Sequence, residues 1–151
     1  MASYIPDDCK SVLDVGCGKM WLKEFLKPSV KYYGLDYVAR DDETIVCDLN
    51  KREFPDIKTD VCFCSGVIAY VNEENLDWFC KKLRETSPIL LISYNTRDLG
   101  HYQNYFITLR KMRYFKNHMK RKEFINLLEK AGFKLETRQK WDSRTEIFKF
   151  V

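Results

Sequence analysis

Hydrophobic positions along the chain fall into short continuous runs separated by stretches with helical spacing. Five apolar runs predict β-strands, at residues 11–15, 31–36, 44–49, 60–66 and 89–94. The clearest helix begins at the N-cap residue Asn72, carries an apolar stripe at i, i+3, i+4 and i+7, and ends before Pro88. Further helices are predicted at 19–26 and 120–131.

Two strand-like runs close the chain, at residues 133–141 and 145–151, and the few residues between them predict a hairpin. Strands that alternate with helices predict a parallel sheet covered on both faces. The predicted fold is therefore α/β, a doubly wound, mostly parallel, Rossmann-like sheet in a three-layer sandwich. We expect the hairpin to add one antiparallel strand at the sheet edge, and residues 1–151 to form one domain.

Composition restricts the function classes. The chain is 45% hydrophobic and 32% charged, and we expect no membrane span and no secretion signal, which predicts a cytoplasmic protein. Six cysteines lie mostly inside apolar segments without the spacing of zinc ligands. We therefore predict buried thiols and no metal site.

Charge is unevenly distributed. Residues 97–122 carry eight lysines and arginines against the single acid Asp98, interleaved with aromatic residues. One interpretation of the surrounding segment, residues 95–119, is an amphipathic lid or a face for a second copy or partner chain. The alternatives are a binding surface for an anionic small acceptor or, less favoured at a net charge of +4, for RNA.

Small or acidic residues end four of the predicted parallel strands. Gly16, Asp36, Asp48 and Ser65 occupy these ends, and the carboxyl ends of parallel strands share one edge of a sheet. The first strand also runs into a Gly-x-Gly turn, where a Cβ would block a ligand from the backbone. The sequence therefore predicts a ligand site at this edge.

The position of Asp36 indicates which class of ligand the site binds. It follows Asp14 by 22 residues, close to the offset of about 20 at which an acid meets ribose hydroxyls. Trp21 stands where a pyrophosphate-binding fingerprint has its third glycine. A cofactor with ribose and adenine but no pyrophosphate fits better than NAD.

Several segments in register resemble the motifs of class I S-adenosylmethionine-dependent methyltransferases. Residues 12–18 resemble the D-x-G-x-G motif, 33–36 the ribose-binding motif, 46–49 the adenine-binding motif and 60–71 the fourth motif. Residues 130–133 resemble the family's x-A-G-F junction between helix and strand. The resemblance implies S-adenosyl-L-methionine as cofactor and spans nearly the whole chain.

The resemblance also implies site roles. Asp36 would hold the ribose, Asp14 the turn amides or the methionine amino group, and Asp48 the adenine amino group, although Asp48 is alternatively a turn residue before Asn50. The implied cofactor-binding set is Asp14, Gly16, Cys17, Gly18, Asp36, Tyr37, Cys47, Asp48, Leu49, Ser65 and Gly66.

Tyr70 and His101 are the candidate catalytic residues. Tyr70 lies where relatives place a residue facing the acceptor, with a half-buried packing role as the alternative. His101 is a candidate general base because an imidazole titrates near neutral pH. Methyl transfer is an in-line displacement at a sulfonium, so alignment supplies much of the rate even without a base.

The chain also departs from the family pattern. Met20 replaces a frequent third glycine, and the helix before the fourth strand is reduced to residues 50–59. Ten residues precede the first predicted strand, so we expect no N-terminal cap helix in this sequence. The acceptor pocket is thus open, completed by another chain, or roofed by residues 95–119. We predict methyl transfer to a small, anionic or sugar-derived acceptor, at oxygen. The alternatives are an RNA methyltransferase using residues 97–122 and a non-catalytic methyltransferase-like binding domain.

Overall fold

A computed structural model of the protein describes residues 1–96, 114–142 and 145–151 and contains a seven-stranded sheet. The strands are β1 (Ser11–Val15), β2 (Lys31–Asp36), β3 (Ile45–Val46), β4 (Val61–Ser65), β5 (Ile89–Tyr94), β6 (Leu135–Lys140) and β7 (Glu146–Phe150). Their order is β3-β2-β1-β4-β5-β7-β6, with parallel pairing from β3 through β5. The predicted doubly wound α/β fold is confirmed.

The predicted position of the antiparallel strand is wrong. β7 is antiparallel to both β5 and β6, and it lies inside the sheet between them. Its side chains are mostly buried, including Ile147, Phe148 and Phe150, whereas those of β6 are mostly exposed. An apolar strand is most stable with neighbours on both sides, and a polar strand tolerates the edge. The hairpin therefore folds back, so that its second strand meets β5.

Three elements of the structure differ from the predicted ones in their bounds or in their type. The helix expected at 19–26 is a 3₁₀ helix at Trp21–Phe25, because Met20 before it is left-handed and Leu26 after it is extended. The third strand shrinks to two residues because Asp48 caps a 3₁₀ helix at Leu49–Lys51. The helix expected after Asn72 starts as a 3₁₀ turn at Glu73–Asn75, and the Asn72 side chain makes no capping bond.

In the described part of the chain, the α-helices α1 (Leu76–Thr86) and α2 (Arg121–Lys130) cover one face of the sheet. Phe79 and Leu83 of α1 and Phe124 and Leu128 of α2 are fully buried in the larger core cluster. Within the described parts of the chain, no helix is both long enough and apolar enough to cross a membrane.

A smaller core cluster lies on the opposite face of the sheet. Val12, Val61 and Leu91 are buried there, against 3₁₀ helices at Ala2–Tyr4 and Trp21–Phe25. Among residues 1–96, 114–142 and 145–151, the helices that pack on this face are short 3₁₀ segments. The strand order reverses between β1 and β4, which leaves a crevice at their carboxyl ends.

Candidate active site

The carboxyl ends of β1, β2 and β4 lie side by side, as predicted. Val15 at the end of β1 pairs with Leu35 of β2 and with Cys64 of β4. The residues that follow these partners, Asp36 and Ser65, therefore flank the turn that begins at Gly16. The shared register brings the predicted glycine turn and acid to one edge of the sheet.

The two glycines of the turn have different roles. Gly16 has φ +70° and Gly18 has φ +51°, both in the left-handed region. A Cβ on Gly16 would lie 2.1 Å from Cγ2 of Val67, so Gly16 permits close packing between loops. A Cβ on Gly18 would meet nothing nearer than the Gly16 carbonyl oxygen at 3.9 Å. Gly18 thus leaves open space above the turn, where a ligand has room.

Backbone bonds fix the turn against β2. The amides of Gly16 and Cys17 both donate to the carbonyl oxygen of Leu35, at 2.7 and 2.9 Å.

Two side chains of the turn region differ from the usual pattern. Burial raises the pKa of the Cys17 thiol to about 11, so this thiol is neutral at physiological pH. Met20, at the position of the frequent third glycine, has φ +57°. The chain thus adopts a left-handed backbone there without a glycine.

Asp36 is buried and joins this turn to β2. Its carboxylate accepts from the amide of Gly18 at 2.9 Å and from the amide of Val38 at 3.2 Å. The Arg40 guanidinium also donates to it, at 3.3 Å. A carboxylate has about four acceptor positions. One position therefore remains for a ligand hydroxyl. A second ligand hydroxyl most easily replaces Arg40, because the Arg40 bond is the longest of the three and this side chain is partly exposed.

Asp14 lies in β1 with its side chain 4% exposed, and it accepts a hydrogen bond from the Tyr32 hydroxyl at 2.8 Å. Burial raises the pKa of the Asp14 carboxyl to about 6, opposed by the Tyr32 hydrogen bond and reinforced by the charge of Asp36. The amides of Gly16, Cys17 and Gly18 donate to Leu35 and Asp36, and the amino-group role of Asp14 remains a prediction. The sequence analysis did not identify Tyr32.

Residues 46–49, the third predicted motif, make hydrogen bonds and packing contacts with their own loop, with β2 and with the core. The Asp48 carboxylate accepts from the Asn50 amide at 3.0 Å, which is the turn role considered as an alternative. Cys47 is buried, and its amide donates to the carbonyl oxygen of Asp36 at 3.0 Å. Leu49 packs against the larger core. The adenine role of these three residues remains a prediction.

Ser65, Gly66 and Tyr37 line the remaining parts of the rim. The Ser65 and Ser93 hydroxyls lie 3.2 Å apart, and Ser93 also accepts from the Gly66 amide at 3.0 Å. Gly66 has φ +72° and open space where a Cβ would stand. Tyr37, directly after Asp36, exposes most of its ring. An exposed aromatic face beside the proposed ribose site is suited to stacking on a purine.

Tyr70 ends the 3₁₀ turn Ile68–Tyr70 and is half-exposed. Its ring lies edge-on to Phe115, with centroids 5.2 Å apart at 90°. The ring of His118 lies 6.1 Å from that of Phe115. His101, the other catalytic candidate, lies outside the described residues, as does most of the predicted 95–119 insert.

Asn117 is a structural residue that the sequence analysis missed. Its buried amide donates to the carbonyl oxygens of Ile68 and Val71, at 2.7 and 2.8 Å, on either side of Tyr70. Its oxygen accepts from the Tyr94 hydroxyl at 2.8 Å. Asn117 therefore fixes the Tyr70 turn to the end of β5. A lone asparagine in a polar segment has no periodic signal that would reveal this role.

Comparisons with known proteins agree with this geometry. The profile of a family described as "Methyltransferase domain" matches residues 2–138. The methyltransferase domain of bacterial CtHen1-CN has a TM-score of 0.68 at 23% identity, over 94% of this chain and 90% of that one. An S-adenosylmethionine-dependent methyltransferase from Mesorhizobium loti has a TM-score of 0.72 at 15% identity, over 93% and 89%. Likenesses at this identity establish the fold.

Other similar structures are longer. The O-methyltransferase NcsB1 of neocarzinostatin biosynthesis, solved with S-adenosylmethionine and 2-hydroxy-5-methyl naphthoic acid, has a TM-score of 0.72 at 15% identity over 93% of this chain. This chain covers 48% of NcsB1 and 49% of the pyocyanin biosynthetic protein PhzM, about half the length of each. A sequence comparison with curated proteins finds no match.

Proposed function

Because the chain belongs to the methyltransferase-domain family, we propose that it transfers a methyl group from S-adenosylmethionine to the oxygen of a small, anionic or sugar-derived acceptor. The observation that carries the proposal is the junction of Gly18 and Asp36, where an open backbone turn meets a buried carboxylate with free acceptor capacity. This junction fits a ribose whose hydroxyls donate to Asp36.

The cofactor, when bound, supplies a methyl group made electrophilic by its sulfonium. Asp36 would accept the ribose hydroxyls, and the exposed Tyr37 ring would stack on the adenine. The turn at 16–18 would bring backbone amides to the methionine portion because its glycines leave that space open. Cys47, Asp48 and Leu49 would flank the adenine, and Ser65 and Gly66 would complete the rim.

Tyr70 is proposed to form one wall of the acceptor site. Its half-exposed ring and that of Phe115 present aromatic surface after the end of β4. The exposed Lys116, whose amide donates to the carbonyl oxygen of Ala69 at 2.7 Å, adds positive charge nearby. Such a wall suits a small acceptor with an anionic group. The compound crystallised with the similar O-methyltransferase NcsB1, 2-hydroxy-5-methyl naphthoic acid, carries both a hydroxyl and an anionic group. His101 remains a candidate base.

The alternative RNA substrate has weaker support. Of the basic residues in 97–122 that the structure describes, Arg121 is already paired with the buried Glu146, at 2.8 Å. This pairing reduces the charge free for phosphate contacts. A cytoplasmic location is supported by the six cysteines, which are all buried and free, as expected in a reducing compartment.

Calorimetry with S-adenosylhomocysteine, the demethylated product, tests the proposal. We expect wild type to bind with a micromolar dissociation constant. Asp36→Asn keeps the size of the side chain but removes the charge that strengthens the ribose hydrogen bonds. Because hydrogen bonds to charged groups contribute about 2 kcal/mol, its affinity should be about 30-fold weaker.

Asp42→Asn is the matched control, since it removes the same charge from an exposed position in the following loop. Its affinity should equal that of wild type. Absence of binding of both S-adenosylhomocysteine and S-adenosylmethionine to wild type would favour a non-catalytic domain. Equal affinities of Asp36→Asn and wild type would show that the ribose assignment is wrong.

A further inference from the structure

Asp14 and Glu146 are equally buried acids with opposite surroundings. Glu146 is 2% exposed and lies within 3.0 Å of both Arg121 and Arg138. Asp14 is 4% exposed, and among the described lysines and arginines none forms an ion pair with it. A buried carboxylate normally has a cationic partner because burying an isolated charge is costly. Among the described residues, Asp14 therefore has a neutral donor but no cation to stabilise its charged form.

The Tyr32 hydroxyl is the neutral donor to Asp14. Tyr32 pairs in register with Val12, so its side chain leaves β2 on the same face as Asp14 leaves β1. The 2.8 Å bond fixes one carboxyl oxygen of Asp14, two residues before the glycine turn begins. Burial and the adjacent Asp14 raise the pKa of Tyr32 well above its usual value, so the phenol stays protonated and donates.

Other titratable groups lie near this pair. Asp36 lies on β2, Cys17 in the turn, Asp41 in the loop after β2, and Lys23 over the Tyr32 ring with 5.8 Å between its Nζ and the ring centroid. Cys62 and Cys64 lie on β4 but pair with Leu13 and Val15, so their side chains point to the opposite face of the sheet. Burial raises the pKa values of the three thiols, so none of them ionises between pH 5 and 8.5. The pKa of Asp14, at about 6, lies inside that interval.

We propose that Tyr32 is a positioning residue for cofactor binding, whose hydroxyl holds the Asp14 carboxylate in the charged form that receives the ammonium group of the cofactor's methionine portion. The inference rests on the proposed function. The bound ammonium supplies the missing cation, so binding and deprotonation of Asp14 are coupled. By linkage, the ligand then binds more tightly as pH rises through the pKa of Asp14.

The test is the affinity for S-adenosylhomocysteine from pH 5 to 8.5, measured by calorimetry. Wild-type affinity should be constant above pH 7 and fall by up to about tenfold per pH unit below 6. Tyr32→Phe removes a bond that favours the charged carboxylate, so its midpoint should move upward by about one pH unit. At pH 6 the variant should bind about fivefold more weakly than wild type, and at pH 8.5 equally well.

Tyr33→Phe is the matched control on the same strand, and its profile should overlay that of wild type. Asp14→Asn should bind the ligand weakly, with an affinity that does not change with pH. This result would show that the pH dependence of binding arises from Asp14 and not from a histidine. A Tyr32→Phe profile that overlays wild type, or that is weaker by the same factor at every pH, would overturn the inference. Failure of wild type to bind at any pH would instead refute the proposed function.

A second measurement does not depend on the variant folding. In wild type with carbon-13-labelled aspartate, NMR titration follows the Asp14 carboxyl directly. Its midpoint should fall by at least one pH unit when S-adenosylhomocysteine is saturating, because the ligand's ammonium favours the charged form. An unchanged midpoint would overturn the inference even if Tyr32→Phe does not fold.

Discussion

Gly16→Ala should destabilise the protein by about 4 kcal/mol, because an overpacked contact and a left-handed alanine are both unfavourable. The new Cβ would lie 2.1 Å from Cγ2 of Val67, in a backbone conformation of φ +70°. Val67 is a short, branched side chain packed on the larger core, so it has little freedom to move away. Urea unfolding followed by circular dichroism measures the loss.

Gly18→Ala is the matched comparison for this change. It has the same left-handed backbone but open space around the Cβ, so its stability should fall by only about 1 kcal/mol. The methyl group would instead occupy the space above the turn, and affinity for S-adenosylhomocysteine should fall at least tenfold. One glycine thus supports the packing of the loops, and the other leaves room for the cofactor.

Val67→Ala in the Gly16→Ala background should recover about 2 kcal/mol, because it removes the clash but also loses the packing of the Val67 methyl groups on the core. If Gly16→Ala is no more destabilising than Gly18→Ala, the close approach of the turn to Val67 is not a feature of the folded protein.

Asn117→Ala should lower the free energy of unfolding by about 3 kcal/mol, since a buried polar group left without its partner costs about 1–3 kcal/mol. The change leaves the carbonyl oxygens of Ile68 and Val71 and the hydroxyl of Tyr94 without the Asn117 amide. Affinity for S-adenosylhomocysteine should stay within threefold of wild type, because these groups lie beside Tyr70, on the proposed acceptor side.

Asn72→Ala is the control for Asn117→Ala. Asn72 lies in the same region, and its side chain makes no capping bond. Asn72 is partly exposed, and removal of its side chain should change the free energy of unfolding by less than about 0.5 kcal/mol because no capping bond is lost. Similar losses for the two variants would contradict the buried network at Asn117.

The strands were the most predictable part of the fold. The bounds of Ser11–Val15, Lys31–Asp36 and Ile89–Tyr94 agree with the predicted ones, because these strands are continuous apolar runs in a covered parallel sheet. The first helix was less predictable. Its residues have helical spacing, but a left-handed residue before it and an extended one after it limit it to 3₁₀ geometry.

The position of β7 depended on information outside its own sequence. Strand type follows from local pattern, but edge or interior position follows from the burial that each hairpin strand achieves against β5. Phe148 and Phe150 provide that burial, whereas β6 is mostly polar. The contrast was present in the sequence, and it would have placed the second hairpin strand inside the sheet.

Side-chain contacts within the site were the least predictable. The edge position of Asp36 followed from strand periodicity, but its bonds to Gly18 and Arg40 depend on loop geometry. Asn117 reaches a carbonyl 49 residues away, and Tyr32 reaches an acid 18 residues away. Such pairs have no periodic signature, so only the folded arrangement reveals them.

The most direct test of the central claim is a crystal structure of the protein with S-adenosylhomocysteine. The account predicts the ligand at the carboxyl ends of β1, β2 and β4, with both ribose hydroxyls within hydrogen-bond distance of Asp36 and the adenine against Tyr37. A ligand bound elsewhere on the sheet, or ribose hydroxyls that make no contact with Asp36, would contradict it.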